Sequence, residues 1–169
     1  MNYEHSKDFL LTSIPDLERY LLSESLYWQE RADLVPLTIG NLLFENKIVS
    51  AYQQSEAREF ARQIELIRDE WRVHWDQKVL REIRNRLKLW AEFLDQSRKD
   101  DPVSIAYFRS SVRHRVIISL LLQEKNDPEV MTNLRGLDLL VRGIKPKEGF
   151  IWDRGLCVVF PENEFWYLY

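Results

Sequence analysis

The sequence predicts an all-α fold: a helical bundle of about five helices with one very long central helix (about 55–99) and an irregular, aromatic-rich C-terminal segment packed over it. Three observations carry this expectation. Neither glycine nor proline occurs between Gly40 and Pro102, and that stretch is rich in Glu, Arg, Gln, Leu and Ala, which favour helix. Apolar residues recur along it at helical spacing. Two Asp-Pro pairs, Asp101–Pro102 and Asp127–Pro128, each set a capping side chain before a proline suited to the first helical position.

The first helix is expected over about Ile14 to Leu22. Ser13 stands as its cap, Pro15 in its first turn, and Leu17, Tyr20 and Leu21 on one face. The stretch ESLYWQERADLVP reads as a loop ending at Pro36. A second helix follows with Thr38 as cap and Leu42, Leu43, Ile48 and Tyr52 as core candidates.

From Ser55 to Lys99 the apolar stripe has two parts. Ala57, Phe60, Ile64, Ile67, Trp71 and Trp75 cluster within about 80° on a helical wheel. Val79, Ile83, Leu87, Trp90 and Leu94 cluster about 90° away. The change of direction at Trp75 to Val79 predicts one helix, straight or bent, that changes packing partners. A fourth helix is expected to run to about Gln123. A fifth carries Val130, Leu134, Leu137 and Val141 at helical spacing and stops at Gly143.

The tail is different in character. A third of all the aromatic residues lie between Phe150 and Tyr169, and LCVVF has strand-like content. The expectation is a single domain over 1–169, with 144–169 a non-helical or short-strand segment covering the bundle.

Composition limits function. The chain is 45% hydrophobic and 30% charged, ordinary for a globular protein, and its net charge of −3 gives no global attraction to nucleic acid or anionic lipid. One cysteine, Cys157, rules out an intrachain disulfide or a multi-cysteine metal site. No N-terminal leader pattern is evident, and the apolar run Val116 to Leu122 is far shorter than the roughly 20 residues of a membrane span. These readings together predict a cytoplasmic protein without membrane, cofactor or metal.

Recognised catalytic patterns are missing. The chain has three histidines, His5, His74 and His114, and no HExxH, phosphate loop or G-x-S-x-G. Ser110 and His114 share a helix face but lack an orienting third group. No catalytic residue is nominated, and the expectation leans away from an enzyme.

Two clusters remain as candidate sites. Trp71, His74, Trp75, Lys78, Glu82 and Arg86 combine aromatic bulk with a charge ladder at four-residue steps. They read first as a packing joint beside a solvated face, and second as the wall of a polar pocket near His74 and Glu82. Such a pocket would serve a small-molecule-binding or enzymatic protein. Arg81, Arg84, Lys88, Arg109, Arg113 and Arg115 form the second candidate, a basic face for nucleic-acid phosphates. Its arginines could instead pair with acidic segments. The leading expectation is a non-enzymatic cytoplasmic helical scaffold or protein-interaction module, with a protein partner or a second copy of itself.

Overall fold

The computed structural model describes residues 2–99, 104–146 and 149–169. Seven α-helices occur among the described residues: α1 (Tyr3–Leu22), α2 (Ile39–Tyr52), α3 (Gln54–Glu70), α4 (Arg72–Lys99), α5 (Ile105–Glu124), α6 (Pro128–Ile144) and the short α7 (Glu162–Phe165). Two 3₁₀ turns, Arg154–Val158 and Trp166–Leu168, flank α7. The described residues hold no strand beyond an isolated antiparallel bridge between Trp28 and Leu37. The all-α expectation is met. The chain divides into two compact units, 1–82 and 83–169, with the boundary inside α4.

In the first unit, α1 begins earlier than the Ser13 cap would place it. Asn2 caps it by accepting from the Glu4 N–H at 3.0 Å, and Pro15 lies inside the helix. The helix runs through the proline because its apolar stripe is longer than one helix start. Phe9, Leu10, Ile14, Leu17 and Leu21 are all buried, and that burial outweighs the backbone bond lost at Pro15. Ser13 is fully buried instead of capping, and its hydroxyl donates to Glu30 Oε2.

Thr38 caps α2 as expected, its Oγ1 accepting from the Asn41 N–H at 3.1 Å. The helix is buried on several sides, with Leu42, Phe44, Ile48 and Val49 fully enclosed; Leu43 is half-buried and Tyr52 exposed. Its neighbours explain this, since α1, α2 and α3 all pack on one another. Gln53 alone joins α2 to α3. In the first turn of α3, Glu56 accepts from the Tyr3 hydroxyl at 2.6 Å and from Lys7 at 2.8 Å, tying α3 to α1.

The expected long helix is present as the 28 residues of α4, and the stretch before it is a separate helix. The break is one residue wide. Trp71 has φ −109° and ψ 33°, yet its N–H still reaches the Ile67 carbonyl and its own carbonyl still accepts from Trp75. The apolar stripe survives the break. Ala57, Phe60, Ile64 and Trp75 are buried, as are Val79, Ile83, Trp90 and Leu94. The early part of α4 belongs to the first unit and the part from Ile83 onward to the second, which is the change of partners that the two stripes predict.

In the second unit, Ser104 caps α5 by accepting from the Tyr107 N–H. The expected cap at Asp101 with Pro102 lies outside the described residues. Asp127 caps α6 as expected, accepting from the N–H groups of Glu129 and Val130 at 3.1 Å, with Pro128 opening the helix. Trp90 and Phe93 of α4 stack at 5.2 Å and meet Phe108 of α5 edge-on.

The tail turns at Gly149, whose φ of 74° suits glycine. Ile151, Leu156, Phe160, Phe165, Tyr167 and Leu168 are buried. LCVVF does not form a strand. Asp153 caps a 3₁₀ turn by accepting from the Gly155 N–H, and with no neighbouring strand the β-branched residues have no ladder to join. The segment closes on itself, with Ile151 N–H bonded to the Leu168 carbonyl and the Tyr169 hydroxyl to the Phe160 carbonyl, both at 2.8 Å. It is fastened to α5 through Trp152 Nε1, which donates to the Arg109 carbonyl.

A tail packed this way is part of the fold and not an appendage. Phe165→Ala should destabilise the protein by about 3–5 kcal/mol, the usual cost of truncating a buried Phe. Urea denaturation monitored by circular dichroism measures this; a loss under about 1 kcal/mol would mean the tail is docked only loosely.

Candidate functional site

The charge ladder on α4 is not a solvated face. Lys78, Glu82 and Arg86 are 3%, 0% and 6% exposed. In the first unit, Lys78 and Glu82 bind the ends of two other helices. Glu82 Oε1 accepts from Thr38 Oγ1 at 2.7 Å, and Oε2 accepts from the Gly40 N–H at 2.8 Å. Both donors lie at the N-terminus of α2, where backbone N–H groups lack helical partners and an acidic group is favoured.

Lys78 does the opposite at the C-terminal end of α1. Its Nζ donates to the Ser23 carbonyl at 2.9 Å and to the Ser25 carbonyl, and lies 4.3 Å from the Tyr20 ring centroid. A cation beside helix-end carbonyls complements the helix dipole. Burial and the nearby Arg81 charge push the Lys78 ammonium down to about 8. Arg81 extends the contact from the surface by donating to the Glu24 carbonyl at 3.0 Å.

His74 takes part in neither contact. It is half-buried, and its ring meets Trp71 edge-on at 5.7 Å. Trp71 is half-buried and Trp75 is 1% exposed; the indole N–H of each is buried without a hydrogen-bond partner. Of the stretch from Glu70 to Lys78, Trp75 and Lys78 are buried, while Glu70, Arg72, Val73 and Gln77 are exposed.

Arg86 belongs to the second unit, where its Nη1 lies 3.2 Å from His114 Nδ1. A guanidinium only donates, so Nδ1 accepts and the ring proton sits on Nε2. Burial, then Arg86, then Arg113 hold His114 down to about 4. The ring is therefore neutral across the physiological range.

Of the basic residues, Arg115 does not contribute to an exposed surface. Arg115 is buried, at 6% exposure. Arg84 and Lys88 are exposed, and each lies near an acid, Asp127 at 3.9 Å and Glu92 at 3.8 Å. Arg109 is exposed and Arg113 half-buried.

Arg115 leads to a site that the sequence reading did not assemble. A cavity of about 400 Å³ opens between α5, α6 and α7. Arg115 clamps Asp138 with two hydrogen bonds, at 2.8 and 2.9 Å, and donates to Ser119 Oγ at 2.6 Å. Its guanidinium carbon stands 4.4 Å from the Tyr167 ring centroid. The Tyr167 hydroxyl shares a 3.1 Å hydrogen bond with Ser119, and burial pushes it up to about 12. Leu122, Leu134 and Phe165 supply apolar wall.

Two signals in the sequence mark this cluster. Asp138 falls on the α6 face that carries Leu134 and Val141. Arg115 and Ser119 continue a face from Val112. A charge on an apolar stripe calls for a buried partner. No group of three or more His, Cys, Asp or Glu among the described residues could hold a metal ion. No described helix is long and apolar enough to cross a membrane. The chain matches no protein-family model, no curated protein and no solved structure.

Two measurements test these assignments. Glu82→Gln should cost about 2 kcal/mol, because hydrogen bonds to a charged group are worth roughly 1.5–3, whereas the exposed Arg81→Ala should cost under about 1. Equal losses in urea denaturation would contradict the helix-end role of Glu82. For His114, the folded ring takes up its proton only near pH 4, while the unfolded ring does so near 6.5. Its contribution to stability is full above 6.5 and falls as pH drops toward 4, by on the order of 1–2 kcal/mol for a partly exposed ring. His114→Gln should remove that part of the pH dependence; identical slopes in wild type and variant would refute it.

Proposed function

We propose that the protein is a non-enzymatic helical interaction module that works in the cytoplasm and pairs with a second copy of itself through the face that carries Leu66 and Val73. The observation that carries this reading is the exposure of Leu66 and Val73, at 59% and 66%, on either side of the α3–α4 break. They stand about two helical turns apart on one side of the helices, opposite the stripe of Ile64, Trp71 and Trp75 that faces the core. Large exposed aliphatics aligned on one helix face favour an interaction surface.

Charge favours self-pairing over a strongly basic or acidic partner. The adjacent surface of α3 carries both signs side by side, as Arg62 with Glu59 and Arg68 with Glu65. A two-fold interface sets a patch against itself, and a patch of mixed sign is complementary to its own copy. The buried charges fit a framework role, since Lys78 and Glu82 hold helix ends and Arg115 is clamped by Asp138.

Light scattering coupled to size exclusion, from micromolar to sub-millimolar protein, tests the proposal. Wild type should shift from monomer to dimer as concentration rises. The double variant Leu66→Glu, Val73→Glu should stay monomeric with an unchanged circular dichroism spectrum. A wild type that remains monomeric throughout overturns the self-pairing.

A further inference from the structure

The cavity between α5, α6 and α7 shares no residue with the Leu66–Val73 face and has the make-up of a small-molecule site. We infer that it binds an uncharged amphipathic molecule with an oxygen acceptor at one end and an apolar body at the other. Three features select this class.

The first is size and shape. About 400 Å³ falls within the usual range for ligand pockets of roughly 300–1,000 Å³. Arg115 and Ser119 line it from α5, and Asp138 and Leu134 from α6. These are stripes of two long helices, and Glu164 and Phe165 of the short α7 complete the lining.

The second is an excess of donors at the polar end. Arg115 has five N–H groups and uses three, two on Asp138 and one on Ser119. Two remain. When the Tyr167 hydroxyl donates to Ser119, the Ser119 O–H is also free to donate into the cavity. An oxygen acceptor on the ligand meets these groups, and Leu122, Leu134 and Phe165 receive the apolar body.

The third is charge balance. Asp138 neutralises Arg115 through its two hydrogen bonds. Arg135 and Glu164, one of each sign, stand exposed on the lining and make no ion pair among the described residues. The lining therefore has no net formal charge. A carboxylate placed against Arg115 would compete with Asp138, and an ammonium would face the unused N–H groups.

The test uses the full chain and three probes with one ring system and different heads: 1-naphthalenemethanol, 1-naphthoate and 1-naphthylmethylammonium. Isothermal titration and ¹H–¹⁵N spectra report affinity and location. The alcohol should bind at high micromolar to millimolar concentration, with shifts centred on Ser119, Leu122 and Leu134, and at least about tenfold more tightly than either ion. Met131→Trp places bulk at the exposed rim of the cavity, where the fold can tolerate it. It should weaken the alcohol about tenfold or more while leaving the circular dichroism spectrum unchanged. Preferential binding of naphthoate or of the ammonium would overturn the assignment of an uncharged ligand. Absence of binding by all three at millimolar concentration, or shifts centred away from the cavity, would overturn the site itself.

Discussion

Lys78 and Glu82 sit one turn apart on α4 and hold the ends of two other helices, Lys78 the carbonyls that follow α1 and Glu82 the first donors of α2. Burying either group alone would be costly, because each loses its hydration. The cost is offset because each meets the helix end of opposite polarity, where backbone groups need partners in any case. The arrangement also fixes position. The Thr38 hydroxyl and the Gly40 N–H both donate to Glu82, so the start of α2 cannot slide along α4 without breaking both bonds. The rest of the first unit, from the α1–α2 packing to the placement of α3, builds on that register.

The second unit uses the same device once more with different chemistry. Arg115 is buried against Asp138, Ser119 and the Tyr167 ring. This joins α5, α6 and the tail at one point. Planar geometry makes arginine suited to the task, since one guanidinium can clamp a carboxylate in its plane while presenting a face to an aromatic ring. The aromatic tail then covers apolar surface of α5 and α6 without needing a strand.

Much of this architecture was legible in the sequence where physics acts locally. The Thr38 and Asp127 caps and the apolar stripes along α3 and α4 report short-range rules, and the structure follows them; the absence of Gly and Pro predicts one helix over 55–99, whereas the chain breaks at Trp71 into α3 and α4. The start of α1 was misread because a Ser-x-x-Asp pattern around Pro15 resembles a cap, whereas the decisive term was burial of Phe9 and Leu10 upstream. LCVVF was misread because strand content says nothing about whether a partner strand exists. The cluster of Trp71, His74, Trp75, Lys78, Glu82 and Arg86 reads in sequence as a joint beside a solvated face, whereas its charges are buried. Only the fold shows which chain ends arrive beside Lys78 and Glu82. The positions of Arg115 and Asp138 on apolar stripes imply that each has a buried partner, but only the fold shows that they are partners of one another and that Ser119 joins them.

The single residue between α2 and α3 has a wider consequence. Gln53 leaves α3 almost no freedom to sample positions away from α2. The entropy lost when a helix docks grows with the slack in its tether, so a corner this short lowers the burial that α3 needs. That accounts for a helix with only Ala57, Phe60 and Ile64 buried remaining in place, and it leaves the remaining positions of α3 open to charged and aliphatic side chains whose role is outside the core. A tight corner in the chain thus becomes a source of surface that sequence change can reshape without unfolding the unit beneath it.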